Sequence, residues 1–223
     1  MKGLRQAGSV GALLFALSFI MLFLSLAVIQ PSLGVIGPAD GINPAKILPQ
    51  ASAFRLLFAI PILFGAGVCL TALALNDRLQ AQAPSRMRIA TAAAVIGSAL
   101  FVAAGSLGFV ALPELASVYA QNAAAVTTAD MALIDGIATA LLTAGVLAAG
   151  WWVLLASWAA LAGGLPKILA YVGLLFGLVA ILAFVISPLT IVGAILGIVW
   201  AVWVGIVLMR EPAAMGAMGS ARS

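Results

Sequence analysis

The stretch that decides the fold is TIVGAILGIVWAVWVGIVLM, residues 190–209. It holds no Asp, Glu, Lys or Arg over 20 consecutive positions. A helix of about 20 apolar residues matches the hydrocarbon thickness of a bilayer. The run is apolar all round, whereas barrel strands alternate apolar and polar side chains at period two. Five more runs read the same way, at about residues 10–29, 54–75, 89–112, 131–161 and 167–186. In hydrocarbon the backbone must satisfy its own hydrogen bonds, so spanning helices follow. The reading is all-α: one polytopic bundle of six transmembrane helices over residues 1–209, with a short cytoplasmic tail at 210–223.

Composition agrees. The 223 residues are 65% hydrophobic and 7% charged, with a mean hydropathy of +1.27. A water-soluble domain of this length could not cover its surface with so few polar groups. The net charge of +4 and pI near 9.9 do not point to nucleic acid, because the basic residues are scattered singly over loops and ends. The expected surroundings are the lipid bilayer and other membrane subunits or copies of this chain. Cys69 is the single cysteine, so an intrachain disulfide is impossible.

Punctuation supplies the boundaries. The first run is longer than the ~7–15-residue core of a secretory signal, so it is expected to span, although Ser25-Leu26-Ala27 has the small residues of a cleavage site. Pro31, Gly37-Pro38, Asp40-Gly41 and Asn43-Pro44 mark a long first loop. Pro61 predicts a kink in the second span. Pro113-Glu114 is expected to stop the third, followed by a surface helix over 114–128. Thr127-x-x-Asp130 predicts a capping box opening the fourth helix, expected to be the longest. Gly163-Gly164 ends it and Pro166 opens the fifth. Ser187-Pro188 predicts a tight turn into the sixth.

Orientation follows from the basic residues. If the N-terminus is cytoplasmic, eight lie inside (Lys2, Arg5, Arg78, Arg86, Arg88, Lys167, Arg210, Arg222) and two outside (Lys46, Arg55). That is the positive-inside pattern, and both termini are expected in the cytoplasm.

The chemistry is sparse. The chain has no histidine, and no Ser/His pair, Cys pair or phosphate-binding glycine loop. The expectation is a protein without catalytic residues, cofactor or metal. Small residues at spacing four stand out: Gly173 and Gly177 in the fifth span, then Gly193, Gly197, Ala201 and Gly205 in the sixth. Such stripes let helix backbones approach closely in lipid, and Gly197 is expected where the fifth and sixth helices come closest. Trp158 and Trp203 are expected near the inner boundary, with Trp151 and Trp152 deeper. Three of the six acids, Glu114, Asp130 and Asp135, fall on the outer side with Arg55. They form a candidate polar rim in which Arg55 and Asp135 are expected to pair or share a vestibule. A three-plus-three internal repeat is not supported, because the long first loop has no counterpart between spans four and five.

The segment Gly150-Trp151-Trp152 through Trp158, then Gly164-Leu-Pro-Lys167, Gly173/Gly177 and Trp200-Ala-Val-Trp203 to Arg210, resembles a bacterial family of six-span membrane proteins catalogued as a domain of unknown function. The resemblance covers roughly the last 60 residues and implies the bacterial cytoplasmic membrane, with no activity and no site residues. The expected function is a non-catalytic structural or accessory subunit of a membrane assembly. The alternative is a small-molecule transporter or channel lined by the rim and by Ser98, Ser106, Thr139 and Thr143.

Overall fold

Residues 2–186 and 188–210 are described in a computed structural model of the chain. The expected tail beyond Arg210, and Ser187 of the expected turn, lie outside the described residues. Among the described residues every regular element is helical. Six helices carry the architecture: α1 (Lys2–Leu24), α2 (Ala59–Leu79), α3 (Pro84–Gln121), α4 (Thr128–Ala160), α5 (Lys167–Leu182) and α6 (Leu189–Met209). Five helical segments are long and apolar enough to cross a membrane: Gly3–Ser32, Pro44–Leu79, Pro84–Gln121, Thr128–Ala160 and Leu189–Met209. The α5 helix, at 16 residues, is shorter.

Proline explains most departures from the expected boundaries. A π-helical turn at Ser25–Ile29 follows α1, and helix resumes at Gln30–Ser32. Pro31 has no N–H and its ring crowds the carbonyl four residues back, Ala27; the wider turn accommodates both. The chain also becomes helical at Lys2, well before Val10. Pro61 acts on Leu57 in the same way, and the helix breaks at Phe58, between Ala51–Leu57 and α2.

Pro113 behaves differently. The expected stop and separate surface helix are not found: α3 runs unbroken through Pro113 for 38 residues, making it longer than the 33-residue α4. Leu112 is buried, and Leu115 faces the same interior space one turn further on. Packing on both sides of the proline outweighs one lost backbone bond. Residues Ala123–Ala125 form only a short 3-10 turn. The capping box is present: Thr127 Oγ1 accepts from the Asp130 amide at 3.3 Å, and the Thr127 amide donates to the Asp130 carboxylate at 2.8 Å. Gly163 and Gly164 both have positive φ, +138° and +87°, which L side chains rarely adopt. They turn the chain from α4 into α5. That helix ends at Leu182, four residues before the expected Ile186.

The helices form a closed ring in chain order, each antiparallel to both neighbours. Glycines mark the crossings. Gly8 meets Ala74, and Gly11 meets Gly67 and Leu70, between α1 and α2. Gly65 and Gly105 meet Ser98 and Phe58 as α2 joins α3; Gly97 faces Gly145 across α3 and α4. Gly177 lies against Gly150 and Leu154 of α4, and Gly205 against Ser9 and Ala12 of α1, closing the ring. Ser9 Oγ donates to the Gly205 carbonyl at 3.0 Å across this last seam.

One end of the bundle carries Lys2, the 80–83 and 163–164 turns and Arg210; we call it the terminal end. There Arg78 Nε donates to the Gly164 carbonyl (2.7 Å) and Nη1 to the Val207 carbonyl (3.1 Å), tying three elements together. The other, capped end is covered by residues 33–58 and 122–127.

Candidate functional site

The ring interior divides into a packed part and an open one. The packed part is an aromatic plug. Phe15 is its hub, with centroids 4.6 Å from Phe64, 5.2 Å from Phe19 and 6.4 Å from both Trp152 and Trp200. Trp152 and Trp200 are 0% and 1% exposed, whereas Trp151 and Trp158 are half-exposed. Trp158 instead carries Arg86 over its ring at 4.3 Å, a cation–π contact at the terminal end.

Toward the capped end the interior opens into a cavity of about 360 Å³. Phe64 and Phe101, whose rings meet at 4.6 Å, belong to both plug and cavity wall. The walls are otherwise largely aliphatic: Leu57, Ile60, Leu112, Leu115, Ile134 and Leu142. Val35, Gly41, Ile47, Phe54 and Phe58 contribute from the 30–58 segment. The lining residues come from α1 to α4, the π-helical turn after α1 and that segment; among the described residues none comes from α5 or α6.

Four polar side chains reach this space: Ser18, Ser25, Gln30 and Asp135. Ser18 Oγ donates to the Leu14 carbonyl at 2.8 Å, a bond within its own helix. Ser25, buried in the π-helical turn, accepts from Gln30 Nε2 at 3.3 Å. Asp135 is exposed and marks a mouth of the cavity. A single carboxylate, two hydroxyls and one amide can orient a polar head group while the walls hold an apolar body.

Among the described residues, the candidate rim residues Arg55, Glu114, Asp130 and Asp135 form no hydrogen bond or ion pair with one another through their side chains. Arg55 lies over the Phe109 ring at 4.1 Å, so the expected pairing with Asp135 is not made. A flat guanidinium gains from an aromatic face and stays hydrated at its edge, which competes with a carboxylate one helix away. Asp130 is committed to the capping box, and Glu114 is exposed. The ion pair at this end joins Lys46 to Asp40 instead. That contact and the Ile36 amide hold the Asp40 carboxyl below its ordinary value. Ser98, Ser106, Thr139 and Thr143 do not line the cavity: Ser98 is buried with its hydroxyl unpartnered, and Thr143 bonds back to the Thr139 carbonyl.

The stripe glycines are all buried. Gly173 abuts Ser157 and Trp200, and Gly177 abuts α4. A Cβ on Gly197 would stand 2.6 Å from Phe19 and 2.9 Å from Phe176, so this glycine makes room for two phenyl rings rather than for the backbone of α5. Gly193 has only Val179 nearby, at 3.5 Å. The site residues that sequence reading missed, Ser18 and Ser25, had a visible signal. With Leu22 they stand at i, i+4 and i+7 on one face of the first span.

No protein-family model matches the chain, and no curated protein or solved structure does.

Proposed function

We propose that the chain is a six-span, non-catalytic integral membrane protein that binds a small apolar molecule in the capped-end cavity, the carrier class rather than the structural-subunit class. The observation that carries this reading is the cavity itself. Its 360 Å³ falls within the ~300–1,000 Å³ of small-molecule sites, and its apolar walls with a few convergent polar groups fit the usual composition of such sites. The structural-subunit class rests on the small-residue stripes and on the lack of a polar pathway through the spans. Gly173, Gly177, Gly197 and Gly205 pack against α1, α4, Trp200, Phe19 and Phe176 of the same chain, which weakens the first of these grounds.

Six spans are favoured by the ring. Six helices, each antiparallel to both neighbours, close only with an even number of crossings. At a rise of ~1.5 Å per residue, the 16 residues of α5 cover about 24 Å. With the turn at 183–186 that is enough to return the chain across most of a ~30 Å hydrocarbon core. The eight-to-two basic split puts the terminal end in the cytoplasm and the capped end outside. The resemblance of the last 60 residues favours the bacterial cytoplasmic membrane. The plug beneath the cavity interrupts any open pore, which favours a carrier over a channel.

The test is saturable binding of N-phenyl-1-naphthylamine, a neutral apolar fluorophore, to the protein in lipid nanodiscs. The parent is expected to bind about one equivalent above lipid partitioning. Leu142→Trp, which fills the cavity from α4, is expected to abolish that component while the protein still melts cooperatively. A parent indistinguishable from empty nanodiscs overturns the reading.

A further inference from the structure

The geometry points to a cationic amphiphile as the ligand, an apolar chain or ring system carrying one amine or quaternary ammonium, entering from the lipid phase between α1 and α4. This inference rests on the cavity being a binding site.

The head-group preference comes from charge. Among the described residues Asp135 is the only charged side chain lining the cavity. The cations at this end make other contacts, Lys46 with Asp40 and the Gly34 carbonyl, Arg55 with the Phe109 ring, and among the described residues neither forms an ion pair with Asp135. The rings of Phe54, Phe58, Phe64 and Phe101 also line the cavity, and aromatic faces attract ammonium groups. An anionic head would meet the Asp135 carboxylate with no lining cation to offset it. A neutral hydroxyl head can donate a hydrogen bond to the carboxylate but brings no opposite charge. Of the three, the cation gains most from the carboxylate and the rings together.

The route comes from the short α5–α6 hairpin. Gly150 of α4 meets Ile181, and Gly197 of α6 meets Phe19 of α1. Regular helix ends at Leu182 and resumes at Leu189, so the hairpin tip stands near the level of Val146 on α4, while on the α1 side it reaches past Leu22 to about Ala27. Beyond that level α4 continues back to Thr128, and the first helical segment continues to Ser32, with neither α5 nor α6 lining the space between. Leu22 and Val146 both line the cavity, yet they are 42% and 39% exposed. Val146 stands where the hairpin stops, and there the inferred side window at membrane depth is placed.

The experiment compares three probes with one tail and different heads, dodecyltrimethylammonium, dodecanol and dodecanoate, on the protein in nanodiscs of zwitterionic lipid. Saturable binding is taken as the part that Leu142→Trp removes. The expected order is trimethylammonium about tenfold or more tighter than dodecanol, with dodecanoate weakest. Asp135→Asn is expected to bring the cation-to-alcohol ratio close to one, and Asp135→Glu to restore it. Equal binding of cation and alcohol by the parent, or an unchanged ratio in Asp135→Asn, overturns the head-group assignment and leaves the cavity reading standing. Absence of saturable binding by all three overturns both. For the window, nitroxide labels at Leu22→Cys and Val146→Cys in a Cys69→Ser background are expected to collide more with oxygen than with a water-soluble nickel chelate. The reverse order places these positions in an aqueous vestibule and overturns lateral entry.

Discussion

Trp152 and Trp200 meet edge to face, with centroids 5.7 Å apart and planes at 86°, and together with Phe15 close the middle of the helix ring. They come from α4 and α6, which are not neighbours in the ring, so their contact braces it across its centre. The indole N–H of Trp152 is buried without a partner.

That pair separates size from polarity. Trp152→Ala is expected to lose about 3–5 kcal/mol, the range for deleting a buried aromatic. Trp152→Phe keeps most of the edge contact and removes an orphan donor whose burial costs about 1–3 kcal/mol, so it should lose far less. Thermal melting in one detergent, across both variants, is the measurement. Equal losses would mean that the N–H is satisfied.

The glycine crossings differ in tolerance. A Cβ on Gly67 would lie 2.8 Å from both the Gly11 carbonyl oxygen and the Phe15 amide nitrogen, which are backbone atoms that cannot swing aside. Gly67→Ala is therefore expected to lose the ~1–3 kcal/mol of overpacking, read as a lower melting temperature. At Gly193 the nearest atom is a Val179 methyl at 3.5 Å, so Gly193→Ala should melt like the parent. Gly197→Ile should be the worst of the three, because it displaces both Phe19 and Phe176.

Topology can be read by labelling. In a Cys69→Ser background, Asn122→Cys at the capped end is expected to react with an impermeant maleimide added to intact cells. Ala162→Cys, in the turn between α4 and α5, should react only after permeabilisation. The opposite result inverts the bundle and places the cavity mouth inside.

The 36–46 turn should respond to acid. The Asp40 carboxyl is held below its ordinary value by the Lys46 ammonium first and the Ile36 amide second, so its charged form is favoured in the folded chain. A lowered folded value means that the support is complete above the unfolded carboxyl range, near pH ~3.9, and is lost as pH falls through the folded value. Amide exchange at Ile36, corrected for intrinsic rate, should rise only below about pH 4. Asp40→Asn should show faster exchange already at neutral pH and no such step.

Much of this protein is legible one segment at a time. Residues 190–209 need helix wherever lipid surrounds them, because no other local structure satisfies the backbone there. Thr127 and Asp130 build their cap from groups three residues apart, and Gly163-Gly164 turns the chain because positive φ is cheap for glycine. These are local energies, so the linear order of residues suffices to state them. The rotation of each helix is different. Runs that are apolar all round have little amphipathic bias, so the i, i+4, i+7 spacing of Ser18, Leu22 and Ser25 shows that they share a face but not that this face turns inward. That is settled by pairs such as Gly11 with Gly67, whose backbones can approach only in one rotational setting. The same pairwise packing carries α3 through Pro113, sends Arg55 to Phe109 instead of Asp135, and leaves Asp135 beside a cavity. Among the described residues that cavity is lined without α5 and α6. Relative helix length and rotation are properties of neighbours in space, and only the tertiary structure decides them.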